Sequence, residues 1–332
     1  MTSGIHSTEP TFALVGSCPA CGASQAALLC TVSDRLHHGP GEFPVVQCTE
    51  CGHIFVQRVP APESMALYYP SDYAPYRTAI QDEPVALLRW ARHRNARARR
   101  RVAERACGEG HRRLLDVGCS TGIFLDEMRT AGWDVAGIEP NPGAAEYARS
   151  RFGLTVNSNE LLDAGLPAAG FDLVSFWDTL EHTLDPLATL REANHVLAPQ
   201  GFVVLTLPNH DGLDRRIFGH GWNGYDAPRH LHAFTKNSLG VILSRAGFEL
   251  TDRWCGLGGY FASLASLRLW ISRTHPASRA ACVLYKVLSA PGMRLLFAAP
   301  EWLLDRLGLG ATLVVVARKT GPSTPNVPPS AA

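Results

Sequence analysis

Between Arg113 and Trp254, short apolar runs alternate with stretches that have helical spacing, and this alternation limits the fold more than any other feature. The apolar runs predict strands over Arg113–Val117, Trp133–Glu139, Leu154–Val156, Phe171–Trp177, Gly201–Leu207 and Phe248–Trp254. The stretches between them predict helices over Ile123–Ala131, Pro142–Phe152, Asp185–Leu197 and Lys236–Ala246. Strands and helices that alternate in this way form βα units, so we expect a parallel sheet with helices on both faces.

Two Cys-x-x-Cys-Gly turns precede this region. They contain Cys18 with Cys21 and Cys48 with Cys51. Each turn directs two thiolates to one point, and the following glycine permits the positive φ that such a turn needs. Four thiolates predict a closed, structural Zn²⁺ site in a small ribbon. The alternative is two disulfides, which the absence of an export signal disfavours. His53 follows closely, and we expect it at the surface rather than on the metal.

A glycine turn joins the first predicted strand to its helix, in the segment Asp116-Val-Gly118-Cys119-Ser-Thr-Gly122. Gly118 lets the backbone pass close to a ligand, and Gly122 lets the helix start near it. Glu139 ends the second strand, where its carboxylate can accept hydrogen bonds from ribose hydroxyls. A turn and an acid in these two positions predict a nucleoside-containing cofactor, and Cys119 would be a small buried side chain in the loop.

This segment, followed by Glu139, resembles motifs I and II of the class I S-adenosylmethionine-dependent methyltransferases. The segment Phe171–His182 resembles their motif at the fourth strand, and Leu197–Gly201 resembles the end of the next unit. The Leu180-Glu181-His182 triplet is most similar to the ubiquinone-type methyltransferases. The resemblance covers about Arg112 to Trp254, with 311–319 as the last strand. Ser120 departs from the glycine that many members have.

The resemblance implies a seven-stranded, Rossmann-like methyltransferase sheet and assigns roles within it. Asp116, Gly118 and Gly122 would lie against the methionine part of S-adenosylmethionine, and Glu139 would hold its ribose. The loop 157–161, with Asn159 and Glu160, would flank the adenine. Trp177 and Asp178 would lie near the transferred methyl group. An NAD-dependent dehydrogenase shares the early fold, but the fourth-strand motif and an antiparallel last strand disfavour it.

Four further residues are candidates for the acceptor side of catalysis: His182, Arg229, His230 and His232. Loops at the carboxyl ends of parallel strands gather around the ligand in such folds. A histidine could remove a proton from the acceptor, titrating near ~6.5 if unperturbed. Arg229 could clamp a carboxylate or phosphate. The alternatives are a structural histidine at 182 and a solvated loop at 229–232. A second metal site here lacks an evident third ligand.

Three other segments leave their roles open. Tyr68, Tyr69, Tyr73 and Tyr76 form either a lid or part of the core. Eight arginines between Arg89 and Arg105 form either a binding surface for RNA, a nucleotide diphosphate or anionic lipid, or a solvated helix face. The apolar stretch 256–309 either caps a lipophilic pocket, contacts a membrane surface or forms an ordinary helical cap with a closed core of its own.

Taken together, these features predict S-adenosylmethionine-dependent methyl transfer to a small-molecule, sugar or lipid-like acceptor. An RNA base methyltransferase and a non-enzymatic zinc-ribbon scaffold remain alternatives. A net charge of +1 gives the chain as a whole no electrostatic attraction for RNA. The residues before Pro10 lack the features of a signal peptide, so we expect a cytoplasmic protein, peripheral to the membrane if the apolar insertion touches lipid. The predicted organisation is a leader and zinc ribbon (1–60), an aromatic and basic helical linker (61–110), a core (111–255), an apolar helical insertion (256–309), a last core strand (310–320) and a disordered tail (321–332).

Overall fold

A computed structural model describes residues 9–69, 86–108, 110, 112–275, 278–290 and 292–320. The predicted leader up to residue 8, the predicted tail 321–332, Tyr73 and Tyr76 lie outside these residues. The strands are β1 Phe12–Leu14, β2 Ala26–Ser33, β3 Glu42–Cys48, β4 Ile54–Val56, β5 Arg58–Pro60, β6 Arg113–Val117, β7 Asp134–Ile138, β8 Thr155–Asn157, β9 Phe171–Trp177, β10 Leu197–Pro208, β11 His232–Ala233, β12 Phe248–Cys255 and β13 Thr312–Lys319.

The helices alternate with the later strands. They are α1 Pro62–Met65, α2 Ala86–Cys107, α3 Ile123–Thr130, α4 Pro142–Phe152, α5 Pro186–Val196, α6 Leu213–Phe218, α7 Lys236–Arg245, α8 Gly259–Thr274, α9 Arg279–Leu288 and α10 Met293–Arg306. Local signals set several of these boundaries. Asn141 and Asp185 cap α4 and α5 with their side chains and a proline follows each cap, while Gly153 ends α4 at a φ of 64°.

The central sheet has seven strands in the order β12-β13-β10-β9-β6-β7-β8. Neighbours from β10 to β8 pair in parallel, and β13 runs antiparallel between β10 and β12. Strands β9 and β10 are buried along most of their length, which explains why they read as continuous apolar runs. This arrangement confirms the predicted Rossmann-like sheet. The carboxyl ends of β6, β7, β8, β9 and β10 share one edge of the sheet, and the candidate site lies there.

The two cysteine turns belong to a second, four-stranded sheet in the order β11-β4-β3-β2. Its edge strand, β11, comes from the loop that follows β10, because His232 pairs with Phe55 and Ala233 with Ile54. The ribbon also rests on α7, where Asn237 Nδ2 donates to the Cys51 carbonyl at 2.9 Å and Arg245 Nη1 to the Ala20 carbonyl at 2.6 Å. The boundary near residue 60 stays a prediction, but the ribbon shares strands and core with the rest of the chain.

The apolar stretch after β12 forms α8, α9 and α10, which return the chain to the sheet as β13. Many of its large side chains face outward, with Leu295 and Leu296 about 70% exposed (70% and 71%). Among the described residues, no single helix is long and apolar enough to span a membrane. Helices α9 and α10 meet that length and composition only as a pair, bent by 80°.

Candidate functional site

The turn between β6 and α3 has the backbone that its glycines predicted. Gly118 and Gly122 have φ values of 76° and 80°, in the region that only glycine adopts freely. A Cβ on Gly118 would lie 2.6 Å from Thr179 Oγ1, and one on Gly122 would lie 2.6 Å from Leu154. Both positions therefore need glycine for conformation and for space. Cys119 is buried against Gly137, as expected for a small filler side chain.

Glu139 closes the turn from the neighbouring strand. Its carboxylate accepts hydrogen bonds from the backbone N–H of Ser120 and of Asn141, each at 2.8 Å. Burial raises the pKa of Glu139, and these two N–H groups oppose the rise. Ser120 has a φ of 50°, so the serine that departs from the family pattern adopts the left-handed conformation that a glycine would favour. The carboxylate lies at the carboxyl end of β7, in position for a ribose.

The loop after β8 contains the two residues expected near an adenine. Asn159 and Glu160 are both exposed. The Asn159 side chain donates to the Asp163 carbonyl at 3.2 Å, and the Glu160 charge contributes to the raised pKa of Glu139. The structure therefore brings Glu160 near Glu139, whereas Asn159 holds the shape of its own loop.

Asp116 lies at the centre of the sheet and is 2% exposed. It accepts a hydrogen bond from Ser175 Oγ at 2.6 Å. Burial raises the pKa of Asp116 to about 7, opposed by the Ser175 hydrogen bond and the Arg99 charge and assisted by the Glu139 charge. Two acids on adjacent strands thus face the place where a cofactor would lie.

Trp177 and Asp178 end β9 at the same edge, beneath helix α2. Trp177 packs edge-on against Phe124, with ring centroids 5.1 Å apart. Asp178 has a φ of 56° and accepts a hydrogen bond from Thr206 Oγ1 at 3.0 Å. Arg99 lies over the Trp177 ring at 5.1 Å and pairs with Asp178 at 3.3 Å. At least part of the arginine-rich helix therefore contacts the site's own acids.

Each Cys-x-x-Cys-Gly turn forms a knuckle, and the four knuckle cysteines, Cys18, Cys21, Cys48 and Cys51, converge on one point. Their Sγ atoms lie within 4.8 Å of one another, with Cys18–Cys51 and Cys21–Cys48 both at 3.6 Å. Four sulfurs at ~2.3 Å from one Zn²⁺ would be ~3.8 Å apart, so the set fits a tetrahedral ion. Gly22 and Gly52 follow the knuckles with φ values of 86° and 73°.

Arg229 has a role other than the clamp expected from the sequence. It has no exposed surface, and its guanidinium binds Asp226 through two hydrogen bonds of 2.7 and 3.0 Å and Asp34 through one of 2.8 Å. Its Nη1 donates to the Tyr68 carbonyl. All three of its nitrogens are occupied, so Arg229 ties the ribbon to the loop and presents no face to an acceptor.

His232 is likewise held on both ring nitrogens. Its Nε2 donates to the Thr183 carbonyl at 2.9 Å, and its Nδ1 lies 3.2 Å from His53 Nε2, which must then be the donor. His53, expected at the surface, is fully buried in this pair. Burial lowers the pKa of His232 to about 4. His232 therefore supports the ribbon, and neither of its ring nitrogens is free to act as the catalytic base, a role that the sequence allowed for either His230 or His232.

His182 and His230 remain at the site, next to the end of β9. Their rings meet edge to face with centroids 4.7 Å apart. Burial lowers the pKa of His182 to about 3 and that of His230 to about 4, so both imidazoles are neutral above pH 5. A titration near 6.5 is therefore not expected of them. The Tyr69 hydroxyl lies 3.3 Å from His182 Nδ1, whereas Tyr68 is buried in the core.

Three residues at this edge of the sheet were not predicted from the sequence as part of the site. Thr206 holds Asp178, Arg99 covers Trp177, and Glu181 lies fully buried beside His182. The Glu-His pair at the end of a predicted strand could have identified Glu181 as a residue of the site from the sequence. The other two contacts join elements far apart in sequence, which leave no local pattern.

A family profile described as a methyltransferase domain matches residues 87–252, half of the 332-residue chain. The ubiquinone biosynthesis O-methyltransferase of Cereibacter sphaeroides is 32% identical over 152 residues, covering 42% of this chain and 62% of the relative. A probable S-adenosylmethionine-dependent methyltransferase of Mycolicibacterium smegmatis is 28% identical over 153 residues, covering 46% and 56%.

Among solved structures, a SAM-dependent methyltransferase from Archaeoglobus fulgidus is 20% identical, with a TM-score of 0.45, covering 74% of this chain and 96% of that chain. The alignments span only about three fifths of the length of the two curated relatives, at 62% and 56%. The family match includes the glycine turn, Glu139, Asp178 and the histidine at 182. The chain therefore belongs to the methyltransferase domain family, within the class I S-adenosylmethionine-dependent methyltransferases.

Proposed function

We propose that this protein transfers a methyl group from S-adenosylmethionine to a small-molecule acceptor. The observation that carries the proposal is the pairing of the Gly118–Gly122 turn with the buried Glu139 carboxylate across β6 and β7. A carboxylate in this place can accept hydrogen bonds from both ribose hydroxyls. The names of the ubiquinone biosynthesis relatives favour oxygen as the atom methylated, with sugar, lipid-like and other small acceptors as the candidate classes.

When bound, S-adenosylmethionine supplies a methyl group on a positively charged sulfur. The chain's own residues position the partners and exclude water. Asp178 places a carboxylate near that centre, and Trp177 with Phe124 forms an apolar wall beside it. Burial raises the pKa of Asp116 to about 7, so the negative charge of Asp116 is complete only above that pH. His182 and His230, both neutral, lie where the acceptor's reacting atom would approach, and either can receive its proton.

Calorimetric titration with S-adenosylmethionine tests the cofactor half of the proposal. Glu139→Ala removes two charge-assisted hydrogen bonds to the ribose, so we expect the affinity to fall by about 100-fold. Glu146→Ala is the matched control, because Glu146 is an exposed glutamate on the next helix. Unmeasurable binding to the wild-type chain, or equal affinities for wild type and Glu139→Ala, would reject the assignment.

We propose further that the four knuckle cysteines hold one structural Zn²⁺. The set of four thiolates leaves no open coordination position, so this ion would stabilise the ribbon and take no part in transfer. The fit of the sulfur separations to a tetrahedral ion supports the assignment.

An apolar cavity of about 240 Å³ supports an acceptor with an apolar part. It lies between α6, α8 and α10 and is lined by Phe218, Leu264, Leu267, Phe297 and Leu304. The cavity opens beneath the insertion and beside the start of β13, whose first residues share the edge of the sheet that holds the candidate site. An acceptor could therefore place an apolar portion here while its reacting atom lies towards Asp178.

The outer faces of α9 and α10 support a peripheral position on an anionic membrane. Their exposed apolar side chains are accompanied by four basic residues, Arg279, Lys286, Arg294 and Arg306. Their two acids, Glu301 and Asp305, line the cavity instead. Sedimentation with phosphatidylglycerol vesicles tests this, and Leu295→Glu with Leu296→Glu should abolish it. Equal sedimentation of wild type and this variant would count against membrane contact.

A further inference from the structure

The apolar cavity between α6, α8 and α10 has acidic residues in its wall. Most of the wall is hydrocarbon, from side chains such as Leu264 and Phe297. Three acids, Asp214, Glu301 and Asp305, line the cavity as well. Burying a polar group without a hydrogen-bond partner is costly, so acids in an apolar wall normally have partners. The three acids therefore indicate that part of the ligand is polar.

Two of the acids lie beside the segment 309–311, which leads into β13. The first N–H of α6 donates to the Leu309 carbonyl at 2.9 Å, and this contact places Asp214 next to the segment. A Cβ on Gly310 would overlap Asp305 Oδ1, so the Asp305 carboxylate lies against the same segment. The cavity thus has an acidic end, and this end faces the central sheet.

Two carboxylate oxygens at this end are buried without a hydrogen-bond partner. Asp214 is 7% exposed, and its Oδ1 accepts from Ser263 Oγ at 3.0 Å, whereas its Oδ2 has no partner. Asp305 Oδ1 has none either. Glu301 differs, because its Oε1 accepts from the Tyr260 N–H at 3.0 Å in the first turn of α8. Asp214 and Asp305 are therefore the acids that a ligand could satisfy.

The charge of the cavity wall is negative. Among the described residues that line it, none is lysine, arginine or histidine. Burial raises the pKa of Asp214, and the Ser263 hydroxyl and, more weakly, the Ser266 hydroxyl oppose the rise. Burial and the Glu301 charge raise the pKa of Asp305 to about 6. A cation bound here would favour the ionised carboxylates and donate the hydrogen bonds that they lack.

The spacing of the acids and the size of the cavity favour an organic cation over a metal ion. The three acids are not among the sets of described residues whose ligand atoms lie within 4.8 Å of one another, so they do not all reach one metal ion. A cavity of ~150 Å³ can hold one benzene molecule. The volume of about 240 Å³ is therefore sufficient for a ring or short alkyl chain with a small polar group.

We propose that this cavity binds a protonated organic amine with an apolar body. The alkyl or aryl part packs against Leu264, Leu267 and Phe297. The ammonium group lies at the acidic end and donates to Asp214 Oδ2 and Asp305 Oδ1, the two oxygens without partners. The same carboxylates repel anionic ligands, so the site selects by charge as well as by shape.

The consequence for the acceptor rests on the function proposed above. A protonated nitrogen has no lone pair and cannot attack the methyl group, so the amine is a recognition group and another atom is methylated. The Ala311 carbonyl in the cavity wall accepts from the Asn209 N–H at 2.9 Å. Asn209 follows Thr206 by three residues, or ~10 Å along β10. Because Thr206 holds Asp178, we expect ~10 Å between the ammonium group and the reacting atom.

Calorimetry on the full chain tests the site with three ligands of similar shape: 2-phenylethylamine, 2-phenylethanol and phenylacetate. All three carry a phenyl ring on a short side chain, which ends in a cation, a neutral hydroxyl or an anion. We expect one amine per chain, bound about 10-fold more tightly than the alcohol, and no binding of phenylacetate. No amine binding up to ~10 mM, or equal affinities for the amine and the alcohol, would overturn the proposal.

Asp214→Asn and Asp305→Asn locate the bound amine. Each change removes a charge and keeps the shape of the side chain, so each should weaken amine binding by about 10-fold and leave alcohol binding unchanged. Asp252→Asn is the matched control, because Asp252 pairs with Arg105 on the exposed surface. Circular dichroism checks that each variant is folded. Unchanged amine affinity in both cavity variants would mean that the amine binds elsewhere and would overturn the site.

Two further measurements separate this site from the proposed methyl transfer. Mass spectrometry after incubation with S-adenosylmethionine should find 2-phenylethylamine unmethylated, and an N-methyl product would overturn its role as a recognition group. Calorimetry with S-adenosylmethionine on the same proteins reports on the cofactor site, and Asp214→Asn should leave that affinity unchanged. Loss of amine binding with cofactor binding intact would therefore reject only the cavity site, whereas absence of cofactor binding would reject the proposed function.

Discussion

The buried group formed by Asp34, Arg229 and Asp226 makes the ribbon and the loop after β10 depend on each other. The Arg229 and Asp34 side chains have no exposed surface, and Asp226 has 7%. Asp34 also accepts from the N–H groups of Leu36, His37 and Gly39. Burial alone would raise the pKa of Asp34, but the Arg229 hydrogen bond and charge outweigh it, so the pKa is lowered. Asp34 is therefore ionised, and removing it leaves a buried cation with one partner fewer.

Asp34→Ala should lower the free energy of unfolding by about 3 to 5 kcal/mol, the cost of breaking a buried ion pair from one side. The lower end of that range applies if Asp226 compensates for the loss, since it keeps two hydrogen bonds to Arg229. The assay is urea unfolding at pH 7, followed by tryptophan fluorescence. Asp252→Ala is the control, because Asp252 pairs with Arg105 at 3.7 Å on the exposed surface, where such a pair is worth about 0 to 1 kcal/mol.

The contribution of Asp34 also has a defined dependence on pH. An acid whose folded pKa is lowered stabilises the protein above its unfolded pKa of ~3.9, and that contribution is lost as pH falls through the folded value. The difference between wild type and Asp34→Ala should therefore shrink below pH 4. A loss under 1 kcal/mol at pH 7, equal to that of the surface control, would refute the idea that this ion group joins the ribbon to the loop.

Three further changes have calculable outcomes. Gly118→Ala places a Cβ 2.6 Å from Thr179 Oγ1 and should weaken S-adenosylmethionine binding, measured by calorimetry, by about 10-fold or more. Gly132→Ala is the control, because Gly132 has a similar φ of 87° but open space around it, and this change should leave binding unchanged. Equal effects of the two changes would mean that backbone strain, not crowding, weakens binding. Cys48→Ser should release the proposed zinc and unfold the ribbon, as measured by metal analysis and circular dichroism, while Cys282→Ser, at an exposed cysteine, should do neither. The affinity for S-adenosylmethionine should fall little, and a collapse of that affinity would contradict a boundary near residue 60. Asp116 has a pKa of about 7 in the folded protein, above its value in the unfolded chain. Between pH 4 and 7 the native state therefore holds one proton more than the unfolded state, and the free energy of unfolding should fall as the pH rises across that range. Asp116→Asn should flatten this slope in urea unfolding from pH 5 to pH 8, and an unchanged slope would exclude Asp116 as its source.

Local sequence patterns determined the sheet, the glycine turn and the cysteine cluster. The spacing of apolar residues and the capping residues of helices depend on neighbours only a few residues away. Strands β6 to β10 and the helices between them could therefore be predicted from the sequence alone. Positive φ after each cysteine pair and at Gly118 and Gly122 follows from the same local constraint. Glu139 could be placed because strand order in βα units brings the ends of β6 and β7 together.

Only the tertiary structure decided what the polar side chains of the acceptor loop do. Arg229, His230 and His232 are close in sequence, yet one neutralises Asp34, one faces His182 and one supports His53. Asp34, one of the two acids that pair with Arg229, lies 195 residues away, and no periodicity or spacing reports on a contact of that range. Whether an ionisable group is buried, paired or left without a partner depends on which distant elements pack around it. That dependence is also why the buried, unpartnered carboxylate of Glu181 emerged only from the folded chain.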